Sequence, residues 1–132
     1  MLKQFAVPED IAIRVPFAKM RSAVQALFLE LGMNEGDAIR STDTLLYADV
    51  RGIDSHGVSN MLRVYVAGIQ SGDINPRPKW KIEREFPATA TVDTDQGLGV
   101  AVGPELMGLA IEKATQGILD KNKSPGRKIG EV

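Results

Sequence analysis

The only histidine in this 132-residue chain is His56. It lies in the run Ala48-Asp49-Val50-Arg51-Gly52-Ile53-Asp54-Ser55-His56-Gly57-Val58-Ser59-Asn60-Met61-Leu62-Arg63, between a hydroxyl and a glycine. Neutral imidazole titrates near pH ~6.5, so such a side chain can take up or return a proton at working pH. Ser55 could orient the ring, while Gly52 and Gly57 keep the backbone open to a small substrate. The competing reading is a partly buried structural histidine. Arg51 and Arg63 could grip a carboxylate in a bidentate fork. They could equally be solvated helix-end charges, with Arg51 paired to Asp49 or Asp54. Asp49 and Asp54 could do no more than cap and orient.

Other chemistries fit less well. Ser55 and His56 are sequence neighbours, and adjacent side chains usually diverge instead of forming a nucleophile–base pair. The chain also lacks a G-x-S-x-G elbow. One histidine with Asp49 and Asp54 does not have the convergent spacing of a zinc or iron site, so no metal is expected. Gly97-Leu98-Gly99 precedes a helical pattern, but the third glycine of G-x-G-x-x-G would fall on Val102, with Gly103 one place late. A tight strand-to-helix turn explains it better than a dinucleotide cradle. A helix-turn-helix reading would ask Asn60, Arg63 and Gln70 to face a DNA groove in a chain without basic excess.

The elements that would carry His56 can be read from periodicity. Ile11, Ile13 and Val15 alternate like a short strand. Pro16 suits the first turn of a helix whose stripe runs through Phe17, Met20, Val24, Leu27, Phe28 and Leu31, with Gly32 as its stop. Asn34 can cap a second helix, with Glu35 and Asp37 in its first turn and a face of Ala38, Thr42, Leu45, Leu46 and Asp49. Val58, Leu62, Tyr65 and Ile69 mark a third helix, ended by Gly72. His56 therefore falls at a joint between two helices.

Pro76 and Pro78 sit in a loop. Trp80 to Arg84 and Ala88 to Asp93 read as two strands that could pair. A further helix spans about Val100 to Leu119, with Pro104 required in its first turn. Asp120 to Val132 reads as a mobile tail. The expected division is a helical region over 1–74, an α+β segment over 75–119 and the tail over 120–132.

Composition agrees with an ordinary globular domain: 43% hydrophobic, 25% charged, net charge −1 and no cysteine. A near-neutral chain has no field to draw in nucleic acid or an anionic membrane. No segment resembles a secretory signal or approaches the ~18 apolar residues of a membrane span. A cytoplasmic setting is the default expectation.

Several runs strongly resemble the N-terminal part of the type 2 malate/L-lactate dehydrogenase family. These are Val15-Pro16, Asp37-Ala38, Ala48 to Val58 with its Arg-Gly-x-x-Ser-His-Gly signature, Asn75-Pro76-Arg77-Pro78, Ala88 to Asp93 and Gly97-Leu98-Gly99. The similarity covers most of the chain and fades after Lys113. It implies an α+β fold: a helical region followed by the start of a mixed α/β cofactor domain that is not a Rossmann sheet. It also implies an NAD- or NADP-dependent oxidoreductase of 2-hydroxy and 2-oxo acids, and a homodimer.

By position, the resemblance makes His56 the proton donor and acceptor at the substrate's C2 oxygen and Ser55 its relay partner. Many family members carry a carboxylate-gripping arginine four residues after the histidine. Asn60 stands there in this chain, which leaves Arg63 or Arg51 as the cationic alternatives. Family members are considerably longer, so the expectation is a partial enzyme with little activity alone. The rival reading is a non-catalytic helical domain that binds a protein through its third helix.

Overall fold

The computed structural model describes Pro8 and residues 10–123, with side chains described through residue 117. Helix α1 spans Phe17–Glu30 and buries Val24 and Phe28, which lie one turn apart on the expected stripe. Pro16 is not inside the helix but directly before it, at φ −56° and ψ 130°. The expected strand around Ile11 to Val15 does not form. Ile13 is 88% exposed, and no neighbouring strand is available for this stretch to pair with among the described residues.

After Leu31 the chain reverses at Gly32, whose φ of +92° is natural only for glycine. Helix α2 (Glu35–Val50) begins with a complete cap: Asn34 Oδ1 accepts from the Asp37 N–H at 2.9 Å, and Asn34 Nδ2 donates to Asp37 Oδ2 at 2.7 Å. Glu35 and Asp37 add negative charge to the first turn, where the helix dipole favours it. Ala38, Leu45 and Leu46 are buried, as the stripe requires. Ser41 and Thr42 are buried with them, and neither hydroxyl has a hydrogen-bond partner among the described residues.

Beyond α2 lie a single 3-10 turn, Asp54–His56, a π-helical turn, Val58–Leu62, and helix α3, Arg63–Ser71. Gly72 ends α3 at φ +83°. Strands β1 (Lys81–Glu85) and β2 (Ala90–Asp93) pair antiparallel, with an irregularity between Ile82 and Arg84. The antiparallel pairing excludes the parallel crossover of a Rossmann unit here.

Helix α4 runs from Gly99 to Lys123. It begins before the expected start, so Pro104 lies past the first turn. Arg40 Nε, reaching from α2, donates to the Ala101 carbonyl at 3.0 Å beside this interruption. The helix also continues through positions 120–123, so the expected tail cannot begin at Asp120. Positions 124–132 of that tail lie outside the described residues.

One core unites these pieces. Val24 and Phe28 of α1 cluster with Met33, with Ala38 and Leu45 of α2, and with Leu98 and Ala101 at the start of α4. Tyr65 and Ile69 of α3 pack on its flank. The stretches on either side of residue 74 therefore share their hydrophobic centre. Their polar seam is equally specific: Arg40 pairs with Asp37 and with Glu105 Oε1 (2.7 Å), while Trp80 Nε1 donates to Glu105 Oε2 at 2.8 Å. Asp95 closes the loop, since its Oδ2 accepts from Asn75 Nδ2 (2.9 Å) and from the Lys79 N–H (3.0 Å). The architecture is α+β, a helical layer carrying a two-stranded sheet.

Candidate active site

The end of α2 places Asp49, and the turn that follows places Ser55 and His56. Helix α2 stops because Arg51 leaves helical geometry and Gly52 takes φ +66°. The chain then folds back, with the Ile53 N–H bonded to Ala48 O and the His56 N–H bonded to Ile53 O, both at 2.9 Å. This puts His56 at the expected helix–helix corner, with its side chain exposed.

Ser55 Oγ and His56 Nδ1 are 2.8 Å apart. The expectation that neighbouring side chains would diverge is therefore wrong: a 3-10 turn is tight enough to bring the two together. A hydroxyl is a versatile partner for this nitrogen. It donates to Nδ1 when the ring is neutral with hydrogen on Nε2, and it accepts from Nδ1–H when the ring is charged or is neutral with Nε2 bare. Both charge states of the imidazole are thus held in one orientation. Nε2 has no hydrogen-bond partner among the described residues and is the atom available to a substrate.

The turn is clamped on both sides. Asn60 Nδ2 donates to the Asp54 carbonyl at 2.6 Å. Both carboxylate oxygens of Asp49 accept from the Val58 N–H at 3.2 Å. Burial pushes the Asp49 carboxyl above its ordinary range, the Val58 N–H opposes that shift, and the nearby negative charge of Asp54 reinforces it. Gly57 lies against this carboxylate so closely that a Cβ there would sit 1.7 Å from Asp49 Oδ1. Its φ of −85° is ordinary, so the position is glycine because of proximity and not because of backbone conformation.

The arginines separate. Arg63 opens α3, is exposed, and has no ion pair among the described residues. Arg51 stacks on the Tyr47 ring, with its guanidinium carbon 3.3 Å from the ring centroid. Neither of the aspartates considered as its partner takes that place. Asn60, another of the expected substrate-binding residues, commits its amide hydrogens to the turn.

Two roles escaped the sequence reading: Asn60 as a clamp, and Asp49 with Gly57 as one contact. The only signal for the second was the eight-residue separation of an acid and a glycine across a turn, which no helical or strand period connects. Gly97-Leu98-Gly99 does not form a phosphate cradle. A Cβ on Gly97 would lie 2.8 Å from Pro78, Leu98 is buried in the core, and Val102 occupies the third glycine's place. The described residues therefore hold no G-x-G-x-x-G cradle at this turn. Among them there is also no group of three or more His, Asp or Glu side chains that could hold a metal ion.

Comparison with known proteins agrees with this fold. A family model described as malate/L-lactate dehydrogenase matches residues 15–118. The chain is 48% identical over 102 residues to a malate dehydrogenase of Pyrococcus abyssi, covering 77% of this chain and 28% of that one. It is 44% identical over 85 residues to an L-sulfolactate dehydrogenase of Methanocaldococcus jannaschii, covering 64% of this chain and 24% of that one. Among solved structures, malate dehydrogenase from Pyrococcus horikoshii OT3 superposes with a TM-score of 0.77 at 44% identity, over 83% of this chain and 31% of that one. The chain belongs to the malate/L-lactate dehydrogenase family. It spans about 28% of the length of the Pyrococcus malate dehydrogenases it matches.

Proposed function

We propose that this chain supplies the proton-transfer corner of a dehydrogenase acting on 2-hydroxy and 2-oxo acids. The observation that carries the reading is the exposed His56, held through Nδ1 by Ser55 at 2.8 Å, with no hydrogen-bond partner for Nε2 among the described residues. When a 2-oxo acid is reduced, negative charge grows on the C2 oxygen, and His56 Nε2–H neutralises it by giving up its proton. In the reverse direction Nε2 accepts the hydroxyl proton. Ser55 holds the ring in line through both steps, and a proton donor positioned in this way typically contributes 10²–10⁴-fold.

Arg63 is the best placed of the candidates to receive the substrate carboxylate, because Arg51 is stacked on Tyr47 and Asn60 is engaged in the turn. The resemblance assigns NAD or NADP, which supplies or accepts the hydride when bound. One relative, 28% identical over 97 residues, is named ureidoglycolate dehydrogenase (NAD(+)). Homodimerisation and a cytoplasmic setting belong to the same proposal. No described helix is long and apolar enough to cross a membrane.

A hybrid tests the reading. Residues 15–118 replace the matching segment of the Pyrococcus horikoshii enzyme, and oxidation of malate, lactate and sulfolactate is followed with NAD and NADP. Turnover with at least one acid is expected, with a 10²–10⁴-fold fall in kcat on His56→Ala. A folded hybrid whose turnover ignores His56→Ala would sink the assignment and favour a helical interaction domain.

A further inference from the structure

The loop carrying His56 returns onto the end of α2, and the contact that stops it is unusually intimate. Asp49 takes the Val58 N–H with both oxygens, and the main chain at Gly57 passes so near that any other residue would drive its Cβ to 1.7 Å from Oδ1. Gly57 directly follows His56. An error of a few tenths of an ångström at this contact passes through one peptide unit to the imidazole. At the opposite end of the turn, Asn60 fixes the Asp54 carbonyl. The Ser55–His56 contact therefore lies between two anchors, and the one nearer the ring is a partly buried carboxylate.

We propose that Asp49 is the positioning residue for His56: its carboxylate, seated against Gly57 and bonded to the Val58 N–H, sets the turn that presents Ser55 Oγ to Nδ1. The proposal deepens the reading of His56 as the proton donor, and its geometric content is measurable without turnover. Asp49 touches no reacting atom. It determines whether the one side chain that does is aimed. The carboxylate and the glycine form a matched pair, so changes at the two positions must couple.

Because the chain has a single histidine, its imidazole is observable alone in the intact 132-residue protein. Long-range ¹⁵N–¹H spectra of histidine-labelled protein read the tautomer and the Nδ1 hydrogen bond, and carbethoxylation by diethyl pyrocarbonate reads access to Nε2. Ser55→Ala sets the signature of a lost Nδ1 partner. Asp49→Ala should move the His56 nitrogen shifts the same way and change the carbethoxylation rate several-fold. Asp49→Asn, which keeps an accepting oxygen and the shape, should restore both. Gly57→Ala should reproduce the loss, and Asp49→Ala with Gly57→Ala should be no worse than Asp49→Ala alone, because the added methyl fills vacated space.

A folded Asp49→Ala chain with unchanged His56 shifts would overturn the proposal, as would strictly additive effects at the two positions. If alanine at 49 prevents folding, Asp49→Asn decides: retained wild-type shifts support positioning, and shifts matching those of Ser55→Ala refute it. An ordered His56 that proves dispensable in the active hybrid would instead remove the proton-donor reading and leave the role of Asp49 standing.

Discussion

The corner from Asp49 to Arg63 and the hairpin from Lys81 to Asp93 are built on opposite plans. At the corner, side chains bond to backbone: Asp49 to the Val58 N–H and Asn60 to the Asp54 carbonyl. Two contacts join side chains, Ser55 with His56 at 2.8 Å and Asn60 with Ser59 at 3.3 Å. Beneath the corner lies the shared core around Phe28 and Leu45. The hairpin has every β1 residue exposed. Its side-chain ties are mostly ion pairs, exposed for Lys81 with Glu83 and Asp93 and half-buried for Lys113 with Glu85, with Lys113 also bonded to the Phe86 carbonyl. Backbone-directed bonds over a packed core fix a geometry, whereas exposed ion pairs add little to stability. This segment can therefore hold the Ser55–His56 pair in a fixed geometry while its sheet remains rudimentary. Two strands alone are a marginal sheet.

The comparison can be broken most forcefully from below. Phe28→Ala should lower unfolding free energy by about 3–5 kcal/mol in a denaturant titration, and the corner should lose its amide protection along with the core. A loss confined to α1 would show that the corner stands without that support. Next in size is Asn34→Ala, which removes the α2 cap and should cost about 1 kcal/mol, measured as a lower thermal midpoint. It also loosens Asp37 within the Arg40–Glu105–Trp80 seam, so amides near Trp80 should exchange faster.

A pH series sharpens the corner itself. Burial holds the folded Asp49 carboxyl above its ordinary value, so the folded state binds that proton more tightly than the unfolded chain does. Protonated Asp49 therefore favours folding at low pH, and the contribution is lost as pH rises past the ordinary aspartate value near ~3.9 and through the higher folded one. The stability of the wild type relative to Asp49→Asn should decline over that window and then level off. A relative stability that rises with pH would contradict the burial argument. The smallest effect belongs to Lys113→Met, which removes the Glu85 pair and the bond to the Phe86 carbonyl. It should speed exchange in the hairpin while leaving the melting of the helical layer within error.

Much of the helical half was legible because its signals are local. Asn34 caps through a residue three places on, Gly32 and Gly72 stop helices by taking positive φ, and Val24, Phe28, Ala38 and Leu45 obey one period. The family resemblance carried by Ser55-His56-Gly57 was legible for the same reason. What escaped depends on contacts across the chain. Helix α4 tolerates Pro104 past its first turn, in a stretch where Arg40 of α2 bonds to the Ala101 carbonyl, a partner no spacing rule supplies. Ile11 to Val15 alternates correctly for a strand but finds no ladder to join. Arg51 takes Tyr47, one helical turn back, over the acids beside it. Gly57 looks like a flexibility residue until Asp49 is seen filling the space where a side chain would go.

The Asp95 clasp has a consequence for how the sheet can grow. A single carboxylate oxygen accepts hydrogen bonds from Asn75 and Lys79 just where the chain departs from the helical layer. The bearing of the hairpin is consequently fixed at its root, by residues that flank the two strands. Substitutions along its exposed faces can alter what docks there without rotating the ribbon. A strand added to this sheet would meet an edge whose direction is set by two residues twenty positions apart that flank the hairpin, Asn75 and Asp95.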